Sequence, residues 1–201
     1  MSAEPTTAER IRQAAVTMFA ESGYEGVSLS EIAKAVGIKT PSIYAHYKSK
    51  EQLFLQLIEE VIAEERGQYF ALLDAIRKEP VKNQVCRLFD FFTDLSHLTT
   101  GQAFLKRTIL MPPRHLRDQL RQDFLRYELE LTDGLRKVWE QGAAEGLFSP
   151  QEEERMLSAF YAFVDGLLVE NQLYEERLFH HRKQLVWASL WQLWTLAAGE
   201  E

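Results

Sequence analysis

Apolar residues recur at spacings of three and four along almost the whole chain, which is the period of a helix with one buried face. Near the amino terminus, Ile11, Ala15 and Phe19 share such a face, and residues 29–36 repeat the pattern. No run of alternating β-branched residues suggests a strand. The pattern therefore predicts an all-α protein of about nine helices.

Several helix starts carry the capping-box signature, in which a Ser or Thr and a Glu or Gln three residues later satisfy free backbone N–H groups. The signature occurs at Thr6, Ser28, Ser49 and Ser149. Glycines and prolines then mark where helices end. Together these signals predict helices over about residues 7–22, 29–36, 40–47, 50–78, 82–97, 102–110, 114–142, 150–175 and 182–198.

Two short predicted helices, Ser28–Gly37 and Thr40–Tyr47, are separated by a single glycine-bearing turn. This length and spacing are typical of a helix-turn-helix, whose second helix lies in the major groove of DNA. We therefore predict a three-helix domain with a helix-turn-helix over residues 1–50 and a helical body over residues 51–201.

The second helix of this pair has a polar surface once Ile43 is assigned to the core. Such side chains can donate hydrogen bonds to phosphates or meet the edges of bases. For Tyr47, contact with DNA and packing against the next helix are equally compatible with the sequence, so both alternatives stay open. The candidate DNA-contacting residues here are Lys39, Thr40, Ser42, Tyr44, His46, Tyr47, Lys48 and Lys50.

At these positions the sequence resembles the tetracycline-repressor-like (TetR) family of bacterial regulators. The resemblance is carried by residues 27–38 (VSLSEIAKAVGI) and 42–51 (SIYAHYKSKE), and residues 19–24 (FAESGY) resemble the end of the family's first helix. It covers about the first 60 residues. What it implies is a transcriptional repressor that a small apolar or amphipathic ligand releases from its operator.

The resemblance also implies roles for individual residues. The implied contacts are Ser28 and Ser30 with a phosphate at a helix N-terminus, Lys39, Thr40 and Ser42 with base edges, Pro41 with a thymine methyl, and Tyr44, His46 and Lys50 with the DNA backbone. Ala45 departs from the family pattern. A bulky side chain at this position could read bases, whereas alanine is small, so no preference for a DNA sequence is predicted here.

The charge of the chain is divided unevenly. Residues 1–50 carry six Lys or Arg against five Asp or Glu, whereas residues 51–201 carry seventeen against twenty-five. The body should therefore repel DNA and leave the amino-terminal domain to bind it.

The last two predicted helices are apolar around nearly their whole circumference, which is typical of a central core or of an interface. We favour the interface, because a two-fold dimer suits a pair of DNA-reading heads and a pseudo-palindromic operator. The family resemblance implies the same homodimer. The predicted interface residues are Phe160, Val164, Leu167, Leu168, Trp187, Leu190, Trp191 and Trp194.

A ligand pocket in the body is expected to combine apolar walls with a few polar groups. Aromatic and Met residues at helical spacing are also the ordinary content of a core, so this alternative stays open. The candidate ligand contacts are Phe104, Arg107, Met111, Tyr127, Trp139, Phe163, Asn171 and Tyr174.

The remaining features of the sequence argue against a disulfide-stabilised, a secreted and a membrane-spanning protein. A single cysteine, Cys86, permits no intrachain disulfide and is expected to be a buried thiol in a reducing compartment. No signal-peptide pattern and no stretch of eighteen apolar residues is present, so we expect a cytoplasmic protein that does not span a membrane.

Catalysis and metal binding find little support in the sequence. His180 and His181 beside Glu176 invite a metal site, but adjacent histidines on a helix point about 100° apart, and we expect a solvated loop here. No phosphate-binding loop, zinc motif or nucleophile elbow occurs, so we predict no enzyme, no cofactor and no metal. The main alternative to a DNA-binding regulator is a helical scaffold that recruits a protein partner.

Overall fold

The computed structural model describes residues 4–95 and 98–196, and these residues form nine α-helices and no strand. The prediction of an all-α fold is confirmed. The helices are α1 (Thr7–Ser22), α2 (Leu29–Val36), α3 (Thr40–Tyr44), α4 (Lys50–Ile76), α5 (Val81–Thr93), α6 (Thr100–Leu110), α7 (Arg117–Ala144), α8 (Glu153–Leu173) and α9 (Glu176–Leu196). Short 3₁₀ turns at Arg114–Leu116 and Pro150–Glu152 precede α7 and α8.

Two of the predicted capping boxes form completely. The N–H of Glu9 donates to Oγ1 of Thr6 (3.3 Å), and the N–H of Thr6 donates to the Glu9 carboxylate (2.6 Å). Ser28 and Glu31 make the same reciprocal pair at the start of α2. At Ser49, Oγ accepts the backbone N–H three residues later, at 3.0 Å. These caps explain why α1, α2 and α4 begin where the sequence predicts.

The fourth predicted box, at Ser149, is wrong. The Ser149 hydroxyl donates to the side chain of Gln151 (2.8 Å) instead of capping a helix, and a 3₁₀ turn delays the start of α8 to Glu153. A further box, which was not predicted, joins Thr99 and Gln102 and opens α6.

The last helix begins six residues earlier than predicted. Glu176 lies in its first turn, where a negative charge is favourable beside the free N–H groups of the helix. His180 and His181 therefore lie within α9, and the prediction of a loop here is wrong. Nε2 of His180 lies 3.6 Å from Oε1 of Glu176, one helical turn away.

The chain divides into two compact units. Unit 1 comprises Met1–Arg66 and Leu98–Tyr127, and unit 2 comprises Gly67–His97 and Glu128–Glu201. Unit 1 thus holds α1 to α3 together with the first part of α4, all of α6 and the start of α7. The predicted boundary after residue 50 coincides with the beginning of α4 and stays a prediction.

Unit 1 is built around three phenylalanines. The ring centroids of Phe19 and Phe54 lie 5.1 Å apart in an edge-to-face pair, and Phe104 lies 5.2 Å from Phe54. Aliphatic side chains from α1, α2 and α3 complete this core. Because α1 packs against both α2 and α6, the short helices α2 and α3 rest on a well-filled base.

Unit 2 has an aromatic core of its own. The Trp139 ring stacks on Phe148 at 4.4 Å and meets Trp194 edge to face at 5.1 Å. The Phe148 ring occupies the space beside Gly142, where a Cβ atom would lie 2.3 Å from Cε2 of Phe148. Glycine is therefore required at this point of α7 by close approach.

Candidate nucleic-acid interface

Helix α2 presents one apolar and one polar face. Its apolar residues other than Ala35 are buried, while its first turn holds Ser28 as N-cap and Ser30 exposed beside it. The Glu31 carboxylate accepts hydrogen bonds from the N–H (2.8 Å) and the hydroxyl (2.6 Å) of Ser28. These bonds lower the pKa of Glu31, because they stabilise the charged carboxylate.

The turn after α2 depends on Gly37, which has φ 74° in the left-handed region. Its N–H donates to the carbonyls of Ala33 and Lys34, and the N–H of Ile38 donates to Ala33 at 2.9 Å. The Arg10 guanidinium on α1 donates to the carbonyl of Val36. The end of α2 is thereby fixed on α1, and the chain turns directly into α3.

Helix α3 is short and is held by one residue. Ile43 is fully buried, and Tyr44 on the neighbouring position is 56% exposed. The helix ends at Tyr44, three residues before the predicted end. The other candidate contacts follow the same division, since Lys39, Pro41, Ser42 and His46 are exposed and Thr40 is half-buried.

Part of the surface of α2 and α3 lines one groove of about 610 Å³, which does not include the predicted contacts Lys39, Pro41, Ser42 and His46. Its walls include Ser28, Ser30, Thr40, Tyr44 and Lys48, with the N-terminus of α4 at one end. The structure thus brings together residues that the sequence predicts on both helices. The groove offers hydroxyl and ammonium donors and helix N-termini, a combination suited to phosphate oxygens and base edges.

Tyr47 does not belong to this exposed face. Its side chain is 4% exposed and lies in the core of unit 1, and burial raises the pKa of its hydroxyl. Of the two alternatives left open by the sequence, packing is the one the structure shows. The predicted contact of this side chain with DNA is therefore corrected.

Lys50 also differs from its predicted role. Its Nζ donates to the carbonyls of Tyr24 (2.8 Å) and Val27 (3.0 Å) and lies 4.0 Å from the centroid of the Tyr24 ring. The ammonium is thus used to hold the turn between α1 and α2, which places Ser28 at the groove. Lys50 positions the interface in this structure rather than presenting a free cation on it.

The predicted dimer residues are mostly buried within the chain itself. The side chains of Phe160, Val164, Leu167, Leu190 and Trp194 are all buried, and Leu168, Trp187 and Trp191 are half-buried. They face the core of unit 2, which includes α5 packed against both α8 and α9. The buried members of this set therefore cannot form a surface, and their prediction as interface residues is corrected.

The opposite faces of α8 and α9 are apolar and exposed. The exposed aliphatic residues there are Val169, Leu173, Leu178, Leu185 and Leu193. Leu173 is 69% exposed and Leu185 is 55% exposed, which is unusual for leucine side chains on neighbouring helices. The sequence pattern does not single them out, because it is apolar on both faces of these helices.

The candidate ligand contacts fall into both units. Phe104, Arg107, Met111 and Tyr127 belong to unit 1, and Trp139, Phe163, Asn171 and Tyr174 belong to unit 2.

Several of these residues have other surroundings than a pocket wall. Phe104 and Trp139 are core residues, Met111 is 73% exposed, and the Tyr127 hydroxyl donates to Glu65 at 3.0 Å. The guanidinium of Arg107 lies against Gly23 at the end of α1.

The described residues offer little for metal, membrane or thiol chemistry. Residues 4–95 and 98–196 contain no group of three or more His, Cys, Asp or Glu arranged to hold a metal ion. Within the same residues, no helix is both long and apolar enough to cross a bilayer. Cys86 is half-buried, and burial together with the nearby Asp90 carboxylate raises the pKa of its thiol.

The fold and the groove on α2 and α3 define a helix-turn-helix protein. Residues 11–57 match the family model described as bacterial regulatory proteins, tetR family. This segment therefore matches the tetR family of bacterial regulatory proteins, which confirms the resemblance seen in the sequence over the amino-terminal residues.

Curated relatives share the amino-terminal segment. The chain is 41% identical over 51 residues to the biofilm operon icaADBC negative transcriptional regulator IcaR of Staphylococcus epidermidis. It is 42% identical over 50 residues to IcaR of Staphylococcus aureus strain Newman. These alignments cover 25% of this chain and 27–28% of the relatives, so little more than a quarter of each relative is matched.

Solved structures share the whole fold. A TetR transcriptional regulator from Chloroflexus aurantiacus matches with a TM-score of 0.73 and 22% identity, over 92% of each chain. The transcriptional regulator FadR from Bacillus subtilis, in complex with stearoyl-CoA, matches with a TM-score of 0.67 and 20% identity, over 90% of this chain and 96% of that one. At such identities the likeness shows the fold alone.

Proposed function

We propose that the chain is a DNA-binding transcriptional repressor that binds a pseudo-palindromic operator as a homodimer. The observation that carries this proposal is the groove that exposed Tyr44 and half-buried Thr40 line while Ile43 anchors α3 in the core. The similarity of the amino-terminal segment to IcaR, a negative transcriptional regulator, supports repression.

Within this proposal, α3 enters the major groove and α2 lies across the backbone. Lys39, Thr40 and Ser42 contact base edges, and Pro41 contacts a thymine methyl. Tyr44 and His46 contact the backbone, and Ser28 and Ser30 place a phosphate at the free N–H groups of α2. Lys50 acts through the turn that it holds.

The test begins with selection of bound duplexes from a random-sequence pool by the full chain, followed by affinity measurements on the selected duplex. We expect the double variant Thr40→Ala/Tyr44→Ala to lose about tenfold or more in affinity, because one good base contact is worth about 1–3 kcal/mol. Gln192→Ala, an exposed change on α9, is the control. The proposal fails if no duplex is enriched or if the double variant binds like the unmodified chain.

We propose that the homodimer forms through the exposed apolar faces of α8 and α9. An uncovered apolar surface of this kind favours association, and a two-fold interface presents the same patch from both copies. Leu173 and Leu185 are the most exposed residues of these faces and would lie within the contact. Half-buried Leu168, Trp187 and Trp191 would contribute only at its edge.

We further propose that an apolar or amphipathic ligand relieves repression. The structure of the similar FadR in complex with stearoyl-CoA supports this class of ligand for the shared fold. Phe163 and Asn171, half-buried in unit 2, and Tyr174, exposed nearby on the chain, remain candidate contacts. Titration with stearoyl-CoA in the presence of the selected duplex tests the idea, and the expected result is release of the DNA.

A regulator of this kind acts where its operator is, so we propose the cytoplasm as its location. The family is one of transcription regulators, and the proposed role requires no catalytic step.

A further inference from the structure

One segment of the chain beyond α4 is basic although the surrounding sequence is acidic. Residues 98–127 carry six Lys or Arg against two Asp or Glu, whereas residues 128–201 carry six against fourteen. This basic segment belongs to unit 1, the unit that contains the helix-turn-helix. The repulsion of DNA expected from the body therefore does not extend to this part of it.

Contacts within unit 1 place the basic segment beside the proposed DNA groove. The ring of His115 lies 5.2 Å from the ring of Tyr24, and its Nε2 lies 3.6 Å from Oε2 of Glu51 in the first turn of α4. Arg107 approaches Gly23, where a Cβ atom would lie 3.2 Å from its Nε. The start of α7 is thus next to the turn that leads into α2.

Three arginines at this point are free to bind an external partner. Arg114, Arg117 and Arg121 are exposed, and none of them forms an ion pair or hydrogen bond with the residues that the structure describes. Leu116 and Leu120 are buried and anchor the segment to unit 1.

Several other arginines of the described residues are already paired. Arg126, further along α7, lies 3.9 Å from Asp123, and Arg12 lies 3.1 Å from Glu60. Spacings of three and four residues put Arg114, Arg117 and Arg121 on one side of the helix start, where their charges add. Exposed, unpaired guanidinium groups on one side of a helix start are suited to phosphate oxygens, which Arg can bind in a bidentate way.

We propose that Arg114, Arg117 and Arg121 bind phosphates of duplex DNA that flanks the segment read by α3. The inference rests on the proposed DNA-binding function and extends its footprint outward along the duplex. Duplex DNA is the partner that these observations favour, because the three arginines adjoin the groove within one compact unit and carry the complementary charge. Such contacts add affinity without sequence preference.

The experiment compares two duplexes and two variants of the full chain. One duplex is the shortest that retains the selected sequence, and the other extends it on both sides by about one helical turn (~10 base pairs) of random sequence. The variants are Arg114→Gln/Arg117→Gln/Arg121→Gln and the control Arg77→Gln/Arg155→Gln/Arg177→Gln. The control removes the same charge from exposed arginines of unit 2.

Affinity is measured by fluorescence anisotropy across a salt series. On the extended duplex we expect the first variant to bind about tenfold more weakly, with a salt slope smaller by about 0.9 for each phosphate that the variant no longer binds. On the short duplex it should bind like the control. Thermal unfolding of the first variant should be unchanged, because its three arginines have no partner within the described chain. The control also removes the exposed pairs of Arg77 with Asp74 and of Arg155 with Glu152, and such surface pairs contribute little to stability.

Several outcomes would overturn the inference. It is wrong if the first variant behaves like the control on both duplexes, or if it loses affinity equally on both. It is also wrong if the first variant loses binding to vesicles of phosphatidylglycerol while its affinity for DNA is unaffected. If instead the unmodified chain binds no duplex, or Thr40→Ala/Tyr44→Ala binds normally, the proposed function itself fails.

Discussion

The helix pairs α2–α3 and α8–α9 bury their apolar residues in different ways. In α2 and α3 the large aliphatic side chains lie on one buried face, and apart from Ala35 and Pro41 the exposed residues are polar or carry a hydroxyl. In α8 and α9 apolar side chains occupy both faces, and only one face is covered by the chain. The first surface is therefore suited to a polar, charged partner, and the second to an apolar one.

The largest predicted effect on this comparison is a loss of stability on substitution at the covered face of α9. Trp194→Ala should destabilise the chain by about 3–5 kcal/mol, because it removes a fully buried aromatic side chain from the core of unit 2. Leu185→Ala, on the exposed face of the same helix, is the control and should cost far less at concentrations where the chain is monomeric. Urea unfolding gives both values, and similar losses would contradict the assignment of the two faces.

The next largest predicted effect is on the proposed homodimer. Leu173→Glu/Leu185→Glu should convert a dimer into a monomer, because two charges would be buried in an apolar contact. The control, Leu125→Glu/Leu129→Glu, adds the same charge at exposed leucines of α7. Light scattering after size-exclusion chromatography gives the mass of each. A dimeric Leu173→Glu/Leu185→Glu variant would show that the interface lies elsewhere.

A smaller effect on stability should distinguish Lys50, which positions the interface, from Lys39, which is proposed to contact DNA directly. Lys50→Met should lower the free energy of unfolding by about 1–3 kcal/mol, because two backbone carbonyls lose a charged donor. It should also weaken DNA binding through the displaced turn. Lys39→Met should weaken DNA binding with no loss of stability. The roles are wrong if the two variants lose stability equally in a thermal or urea denaturation.

The cap of α2 should give a still smaller effect with a defined pH dependence. Ser28→Ala should cost about 1 kcal/mol, the usual worth of an N-cap. Because Ser28 lowers the pKa of Glu31 in the folded chain, its contribution is present above the ordinary pKa of a glutamate and is lost as the pH falls through the folded value. Unfolding of both chains between neutral and acidic pH should show the difference shrinking on acidification. A difference that grows on acidification would contradict the pairing.

The smallest effect is expected at Tyr47. Because its ring lies in the core, Tyr47→Phe should leave the affinity for the selected duplex unchanged within error, whereas Tyr44→Phe removes an exposed hydroxyl and should weaken it. Anisotropy titrations of the two variants make this test. An affinity loss for Tyr47→Phe that matches that of Tyr44→Phe would return Tyr47 to the interface.

The sequence was informative wherever polar and apolar residues separate cleanly. The bounds of α1 and α2, the burial of Ile43 and the exposure of Tyr44 follow from spacing and caps alone. The role of Lys50 could not be predicted in this way. Its acceptors are backbone carbonyls more than twenty residues away, and a carbonyl is present at every position, so it leaves no mark in the sequence.

The faces of α8 and α9 were unpredictable for another reason. A helix that is apolar all round gives no signal of which side the rest of the chain covers, so Phe160 and Leu190 could not be told from Leu173 and Leu185. The three arginines at the start of α7 were missed because the charge was summed over too long a segment. A net charge taken over residues 51–201 conceals the excess of arginine in residues 98–127.

The close approach of Phe148 to Gly142 has a consequence for how this sequence can change. A glycine inside a helix costs about 1 kcal/mol relative to alanine, so substitution at 142 would be favoured if there were room. The phenyl ring denies that room, and it also completes the stack on Trp139. The two positions are therefore bound to vary together: a lineage that gains a side chain at 142 must first give up the ring at 148.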